Sequence, residues 1–346
     1  MSTQPPLGSS TISPHSSSMQ PARQRVTGKL LATQGYVLGI EISGSSGYQS
    51  VVLANLDGTI LHGVRCPLED VADTSSVLKL VNEMIGEVAS AEQLCDGRLL
   101  RVGVAVGGLV DVAQGVVRTL YRAHGWDNFP LQDYFAERLG IPCIIDNNAN
   151  AAALAEVQRG TGSGERSVLY VGLNRGIGGG LVVNGRVYHG ASCAAGEIGH
   201  MLVKERGPRC SCGRYGHLES IASAQAIRQA MIGQSTKYAE SEVASMTVEQ
   251  IYCLAAEGDE IAQQVVDEVH QYLAIALANI VHLVNPGMIV LGGSVAQVGE
   301  LLIRPIQIRL RELCLAEAFD ALRIVQSSLG EEASIIGAVT LALQDM

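Results

Sequence analysis

The 346-residue chain contains no run of eighteen apolar residues, so no segment reads as a bilayer-spanning helix and no membrane partner is expected. Its first residues lack the basic start and apolar core of a secretory signal, which predicts a cytoplasmic protein. Charge is scarce, at 17% of residues, and the formal net charge is −10. Such a balance gives no general attraction to a phosphate backbone, so DNA is not expected as a partner. Neither a GxxxxGK[ST] phosphate loop nor a strand-to-helix dinucleotide fingerprint occurs. The cysteines at 66, 95, 143, 193, 253 and 314 are isolated, as reduced thiols in a cytosolic protein are; only Cys210 and Cys212 stand together.

What is present is an apolar, glycine-rich chain, 47% hydrophobic with 39 glycines, long enough for two ordinary cores. So few charges over so much apolar sequence also fit a surface buried between two subunits. Residues 1–35 differ from the rest, with many Ser and Pro and no acidic residue. That composition buries too little apolar area to offset its ordering entropy, so the segment reads as an unstructured tail with a few basic residues, Arg23, Arg25 and Lys29.

From Tyr36 the pattern turns to strands. Val37–Ile42, Ser50–Leu56 and Thr59–Val64 follow one another, and the Asp57-Gly58 pair between the last two predicts a tight hairpin. Val77, Leu78, Val81, Met84, Ile85 and Val88 recur at helical spacing behind Thr74 and Ser75 as caps. A strand over 102–106, a helix over 131–139 stopped by Gly140, and a strand from Cys143 to Asp146 complete a first half. A helix over 149–159 and strands at 168–173 and 180–184, the last closed by Asn184-Gly185, restate the theme. A long helix over 261–283 then leads into a strand at 288–291. Two similar halves with glycine loops at strand ends predict an α/β protein of two lobes facing a central cleft.

Three clusters carry chemistry. Glycines at strand ends, 44–47, 176–180 and 292–293, let backbone N–H groups approach a phosphate or a sugar where no Cβ intervenes. His200, Cys210, Cys212 and His217 lie within eighteen residues of loop-like sequence. Two thiolates and two imidazoles fit a closed four-ligand zinc site, although the spacing is not that of a zinc finger. Zinc there would stiffen the segment carrying Glu197 and Glu219, whose carboxylates can hydrogen-bond a polyol. Asp146, Asn147, Asn148 and Asn150 cluster between a strand and a helix. A helix cap accounts for one of them, Asn147 or Asn148, and side chains that donate and accept at once suit a hydroxyl-rich ligand.

Seven segments together resemble the ROK family of bacterial sugar kinases and sugar-responsive repressors: VGVAVGGLVD (102–111), DNNANAAALAE (146–156), GIGGGLVVNG (176–185), AAGEIGH (194–200), CSCGRYGHLES (210–220), NPGMIVLGGS (285–294) and LGEEASIIGA (329–338). The resemblance runs from about Tyr36 to the C-terminus and implies the actin-like, ribonuclease H-like two-lobed ATPase fold. It implies a first lobe over 36–147 with a terminal helix, 335–346, packing back onto it, and a second lobe over 148–334 that carries the zinc loop. Sugar contacts would come from Asn147, Asn148, Glu197, His200 and Glu219, and the sugar would be a hexose or N-acetylhexosamine. Zinc would be held by His200, Cys210, Cys212 and position 217, where the family's usual third cysteine is His217. Gly44, Ser45, Gly176, Gly178, Gly179, Gly292 and Gly293 would face ATP with its magnesium. A homodimer is implied as well.

The departures from the family pattern bear on function. The kinases carry an aspartate at position 148 as general base, and an amide cannot take a proton at neutral pH; losing such a base costs about 10²- to 10⁴-fold in rate. The first phosphate loop, Asp-x-Gly-Gly-Thr in the family, reads Glu41-Ile42-Ser43-Gly44-Ser45. The opening Gly39-Ile40-Glu41-Ile42 is closer to the repressor branch, yet residues 1–35 are too few and too polar for the winged helix-turn-helix that repressors place there. Three readings follow. The first is a sugar-binding regulator relative without the DNA-binding domain, with impaired phosphotransfer, acting as a sensor or through a protein partner. The second is a working sugar kinase in which Glu197 or a water replaces the base. The third is direct regulation through the basic tail, which requires salt-sensitive DNA binding lost on deleting residues 1–35.

Overall fold

The computed structural model of the chain describes residues 24–27, 35–43, 48–67, 73–90, 98–120, 123–234 and 238–346. The first lobe is built from β1 (Gln24–Thr27), β2 (Tyr36–Ile42), β3 (Tyr48–Asn55), β4 (Ile60–Pro67), α1 (Thr74–Val88), β5 (Leu99–Val106), β6 (Leu109–Asp111), β7 (Val116–Thr119), α2 (Leu131–Leu139) and β8 (Cys143–Asn147). Its sheet has the order β1-β4-β3-β2-β5-β8: β2, β3 and β4 form an antiparallel meander, and β5 and β8 join parallel to β2. The strand β1 lies inside the segment read as an unstructured tail. It pairs antiparallel with β4, Gln24 opposite Arg65. The edge of β4 supplies its partners, a signal that four residues of sequence do not carry. Residues 1–23 and 28–34 of that segment lie outside the described residues.

The helix α1 packs the six predicted apolar side chains on β3 and β4. Each such burial contributes about 1.5–3 kcal/mol. Its cap is Asp73, whose carboxylate accepts from Ser76 N–H at 2.7 Å, and not Thr74 or Ser75. Thr74 Oγ1 donates instead to His124 O, and Ser75 Oγ donates to Asp73 itself. Helix α2 spans the predicted residues and ends at Gly140 with φ 66°. The Asp57-Gly58 turn is wider than a two-residue hairpin: only Gly58 takes a positive φ, and Asn55 Oδ1 accepts from Thr59 N–H at 2.8 Å to span the extra residues.

The second lobe follows with α3 (Asn148–Arg159), β9 (Ser167–Leu173), β10 (Ile177–Val183), β11 (Arg186–Val187), α4 (Glu219–Ala222), α5 (Ala224–Gln234), α6 (Glu240–Ser245), α7 (Val248–Ala256), α8 (Glu260–Val284), β12 (Met288–Gly292), α9 (Glu300–Leu313), α10 (Ala316–Asp320), β13 (Arg323–Gln326) and α11 (Ala333–Leu343). Its sheet order is β11-β10-β9-β12-β13, with β12 parallel to both neighbours. At Asn184-Gly185 both residues have positive φ, 52° and 76°, as the Asn-Gly hairpin requires. The long α8 is capped by Asp259 and ends at the left-handed Asn285, and its apolar side forms the centre of this lobe's core.

Between the two sheets lie α3 and α11. Helix α11 packs on β2 and β5, with Ala338 and Val339 against Val37 and Ala105, while α3 packs on β9 and β10. The two helices touch backbone to side: a Cβ on Gly337 would lie 2.2 Å from Ala151 O. The alanine-rich faces of both helices make this approach possible. Among the described residues no helix is long and apolar enough to cross a membrane.

Candidate functional site

A cleft of about 400 Å³ opens between the lobes. Its floor is the junction of β8 and α3, where the polar quartet of the sequence divides by role. Asp146 is buried; Oδ1 accepts from Asn147 N–H at 2.7 Å and Asn150 Nδ2 at 2.9 Å, and Oδ2 meets His189 Nε2 at 2.8 Å. Asn147 caps α3, accepting from the N–H groups of Ala149 and Asn150, and its Nδ2 donates to Gly108 O at 2.7 Å. Three of the four residues therefore hold the junction together. Asn148 alone enters the cleft with no hydrogen-bond partner among the described residues. Asn147 lines the cleft too, but with both ends of its amide engaged.

His189 reaches Asp146 from the segment after β11, so one hydrogen bond ties this floor to the loop that precedes Glu197. That bond, opposed by burial and aided by the Asp146 charge, raises the His189 pKa above its ordinary 6.5. A raised histidine pKa stabilises the fold fully below 6.5, and the contribution disappears as pH climbs through the folded value. The expected result is that His189→Gln lowers the urea-unfolding midpoint most near pH 6, with a gap from the unsubstituted protein that narrows steadily above pH 6.5. A gap independent of pH would remove the linkage.

Glu197, His200 and Glu219 stand on the second-lobe wall. The loop that carries Glu197 lies directly on β10, because a Cβ on Gly179 would sit 2.5 Å from Gly196 O. Glu219 is buried at the start of α4. Its Oε2 accepts from Ile177 N–H at 3.1 Å, and its Oε1 accepts from the Ser211 hydroxyl at 2.5 Å. Burial is the main cause that raises the Glu197 pKa; His200 lowers it and Glu219 raises it further. His200 faces two ways: its Nε2 is 3.8 Å from Glu197 Oε2, and its Nδ1 turns to the cysteine loop.

The four atoms His200 Nδ1, Cys210 Sγ, Cys212 Sγ and His217 Nδ1 all lie within 4.8 Å of one another. The two imidazole nitrogens are 3.4 Å apart, and the sulfur to nitrogen distances are 3.6 Å for Cys210 to His200 and 3.3 Å for Cys212 to His217. A tetrahedral ion with Zn–N of about 2.05 Å and Zn–S of about 2.3 Å would place two nitrogens about 3.3 Å apart, and a nitrogen and a sulfur about 3.6 Å apart. The donor set and its spacing therefore fit a zinc ion.

The glycines predicted to face a nucleotide separate by position. Gly176, Gly178 and Gly293 line the cleft. Gly179 and Gly292 do not: the first admits the Gly196 segment, and the second faces the Tyr170 ring, whose hydroxyl would lie 2.4 Å from an added Cβ. Gly44 and Ser45 lie outside the described residues. Just before them, the buried Gln49 amide holds the Ser43 peptide from both sides, and Glu41 accepts from Ser50 Oγ at 3.2 Å. Burial raises the Glu41 pKa.

Several cleft residues carry no sequence motif. Arg65 stacks 4.3 Å over the Tyr48 ring and pairs with Glu331 at 3.2 Å. Arg175 and Arg228 line the opposite wall. Arg175 sits inside the second glycine loop, where a lone cation was the available signal; Arg228 offered none.

A family model described as the ROK family matches residues 37–345. The chain is 35% identical over 254 residues to a glucokinase of Halalkalibacterium halodurans, an alignment covering 71% of this chain and 77% of that protein. It is 28% identical to a xylose repressor of Caldicellulosiruptor bescii, covering 90% of this chain and 79% of the repressor. A ROK-family glucokinase from Streptomyces griseus, solved with glucose and AMPPNP, superposes with a TM-score of 0.74 at 26% identity, covering 90% of this chain and all of the other. The two-lobed architecture is thus the actin-like ATPase fold of those kinases.

Proposed function

The chain belongs to the ROK family, and from that membership we propose that it is a sugar-binding protein of the regulator kind with impaired phosphotransfer. The observation that carries this reading is Asn148: the one member of the floor quartet that lines the cleft with no hydrogen-bond partner among the described residues is an amide. Phosphoryl transfer to a sugar hydroxyl needs a group to accept the hydroxyl proton, and an amide has no basic site at neutral pH. Asn148 can still donate and accept hydrogen bonds. With Glu197 and His200 it offers the mixed donors and acceptors that a hexose or N-acetylhexosamine requires. Asn147 and Glu219 hold their neighbours in place from the same surface.

Zinc belongs to this reading as a structural ion on His200, Cys210, Cys212 and His217, where it would fix the His200 ring against Glu197. Gly176, Gly178 and Gly293 are the positions left for a nucleotide's approach, and ATP with magnesium is a ligand of the second reading. That second reading, a sugar kinase, is favoured by Glu197, whose half-buried carboxyl has its pKa raised by burial and is therefore better suited to take a proton.

One experiment divides the two. Calorimetry with hexoses and N-acetylhexosamines is expected to show a bound sugar, while ATP-dependent phosphorylation with magnesium stays below about 1 s⁻¹, the low end of ordinary enzyme rates. Turnover above that rate would establish the kinase; no sugar binding at all would overturn both.

A further inference from the structure

A second space of about 570 Å³ adjoins the cleft on its second-lobe side, a volume in the range of small-molecule sites. Arg175, Ser211 and Glu219 line both. The junction between them is short: Cys210, which lines the second space, has its Sγ 3.6 Å from Nδ1 of His200, which lines the first. Ser211 Oγ, donating to Glu219 Oε1 at 2.5 Å, forms the sill between the two.

This second space is a groove with two unlike walls. One is the arm that carries the two cysteines, with Arg209, Ser211 and Gly213; the other is the start of α4 and α5, with Ser220, Gln225 and Gln229. Gln225 and Gln229 stand four residues apart in α5 and so share one face of it. On the arm, Gly213 has φ 88°, and a Cβ there would meet only the Arg209 guanidinium, 3.9 Å away, so the groove is open at Gly213 and bordered there by Arg209. The hydroxyls of Ser211 and Ser220 have their protons committed, to Glu219 Oε1 and to His217 O at 2.7 Å, and keep lone pairs that accept. The glutamine amides donate and accept, and Arg209 only donates. Neutral amides and hydroxyls with one guanidinium on these two walls suit a ligand whose own groups are uncharged and both donate and accept, as hydroxyls do.

We propose that the groove is a second sugar subsite and that the protein's ligand is a disaccharide or glycoside. One ring lies in the cleft against Asn148, Glu197 and His200, and the ring linked to it lies between the cysteine arm and α5. The inference rests on the sugar-binding reading and names the size of its ligand. A second ring tethered to the first binds without a new loss of translational freedom, so a few hydrogen bonds in the groove register directly as affinity. The arm that holds the metal quartet thereby becomes a wall of the recognition site itself.

The test is calorimetry on the full chain, purified without chelator, with glucose and N-acetylglucosamine beside maltose, cellobiose and N,N′-diacetylchitobiose. At least one disaccharide is expected to bind about tenfold more tightly than its own monosaccharide, the worth of one or two hydrogen bonds. Gln229→Ala and Arg209→Gln together change two exposed side chains that line the groove and not the cleft. In that double variant the advantage of the disaccharide is expected to vanish, with zinc content, melting temperature and monosaccharide affinity unchanged. Should the double variant lose its zinc, Gln229→Ala alone reads the same loss from α5. The proposal is overturned if no disaccharide binds more tightly than its monosaccharide, or if the substituted chain keeps the whole advantage. Monosaccharide binding without that advantage would leave the sugar-binding reading standing; binding of no sugar at all would remove that reading and the proposal with it.

Discussion

Asn148→Asp is expected to raise ATP-dependent sugar phosphorylation by about 10²- to 10⁴-fold, the range that a positioned general base supplies. The substitution changes one NH₂ group to an oxygen and little in shape. Position 148 is the first residue of the twelve-residue α3, so the new carboxylate would sit at the partly positive end of a helix, which favours its ionised form. The fold should tolerate it for the same reason: no described residue depends on the Asn148 amide, and the cap of α3 is made by Asn147. Steady-state kinetics with ATP, magnesium and the sugar found by calorimetry would read the effect. A large gain means that the remaining phosphotransfer apparatus is intact; a gain below tenfold places a second defect in the Glu41-Ile42-Ser43 segment, where the family pattern has an aspartate at 41 and a glycine at 43.

The second large effect concerns the metal quartet. Elemental analysis of protein purified without chelator is expected to give one zinc per chain, and Cys212→Ser to reduce it to less than a tenth of that. Structural zinc contributes about 10–16 kcal/mol of apparent binding free energy in small zinc domains at neutral pH. The stretch from Met201 to Leu218 is anchored on the lobe's core at its ends, by Met201, Val203 and Leu218, while residues 204–217 between them form no helix or strand. It is made of turns and two isolated bridges, Leu202 with His217 and Arg209 with Tyr215, and both Leu202 and Tyr215 are exposed. Loss of the ion should therefore strongly reduce hydrogen-exchange protection across 204–217. It should also weaken sugar binding by about 10- to 100-fold through the freed His200 ring, the usual consequence of removing an orienting contact. Zinc-free protein with full sugar affinity would sink the role assigned to the quartet.

The metal quartet was legible in the sequence because its residue types are scarce and lie close together along the chain. The strands and helices around Asn184-Gly185, Gly140 and Asn285 were legible because left-handed residues mark their ends. The division of labour in 146–150 was not. Which of four similar polar side chains is free depends on His189 and Gly108, residues about forty positions away on either side. Glycines misled for a related reason: Gly178 opens onto the cleft and Gly179 onto another chain segment, and a missing Cβ looks the same in both cases. The strand Gln24–Thr27 owes its existence to an unpaired edge on β4 rather than to any pattern of its own.

The contact between Gly337 and Ala151 sits three residues inside each helix, counted from Asn148 on α3 and from Ser334 on α11, and both of those residues line the cleft. The spot works as a spacer at the root of the opening. A single methyl group there would wedge the heads of the two helices apart and shift both walls at once, without touching any group that could hold a ligand. The aperture of this protein is therefore a quantity that a residue buried away from the ligand can adjust, and relatives differing at this crossing could prefer ligands of different size while keeping the same recognition side chains.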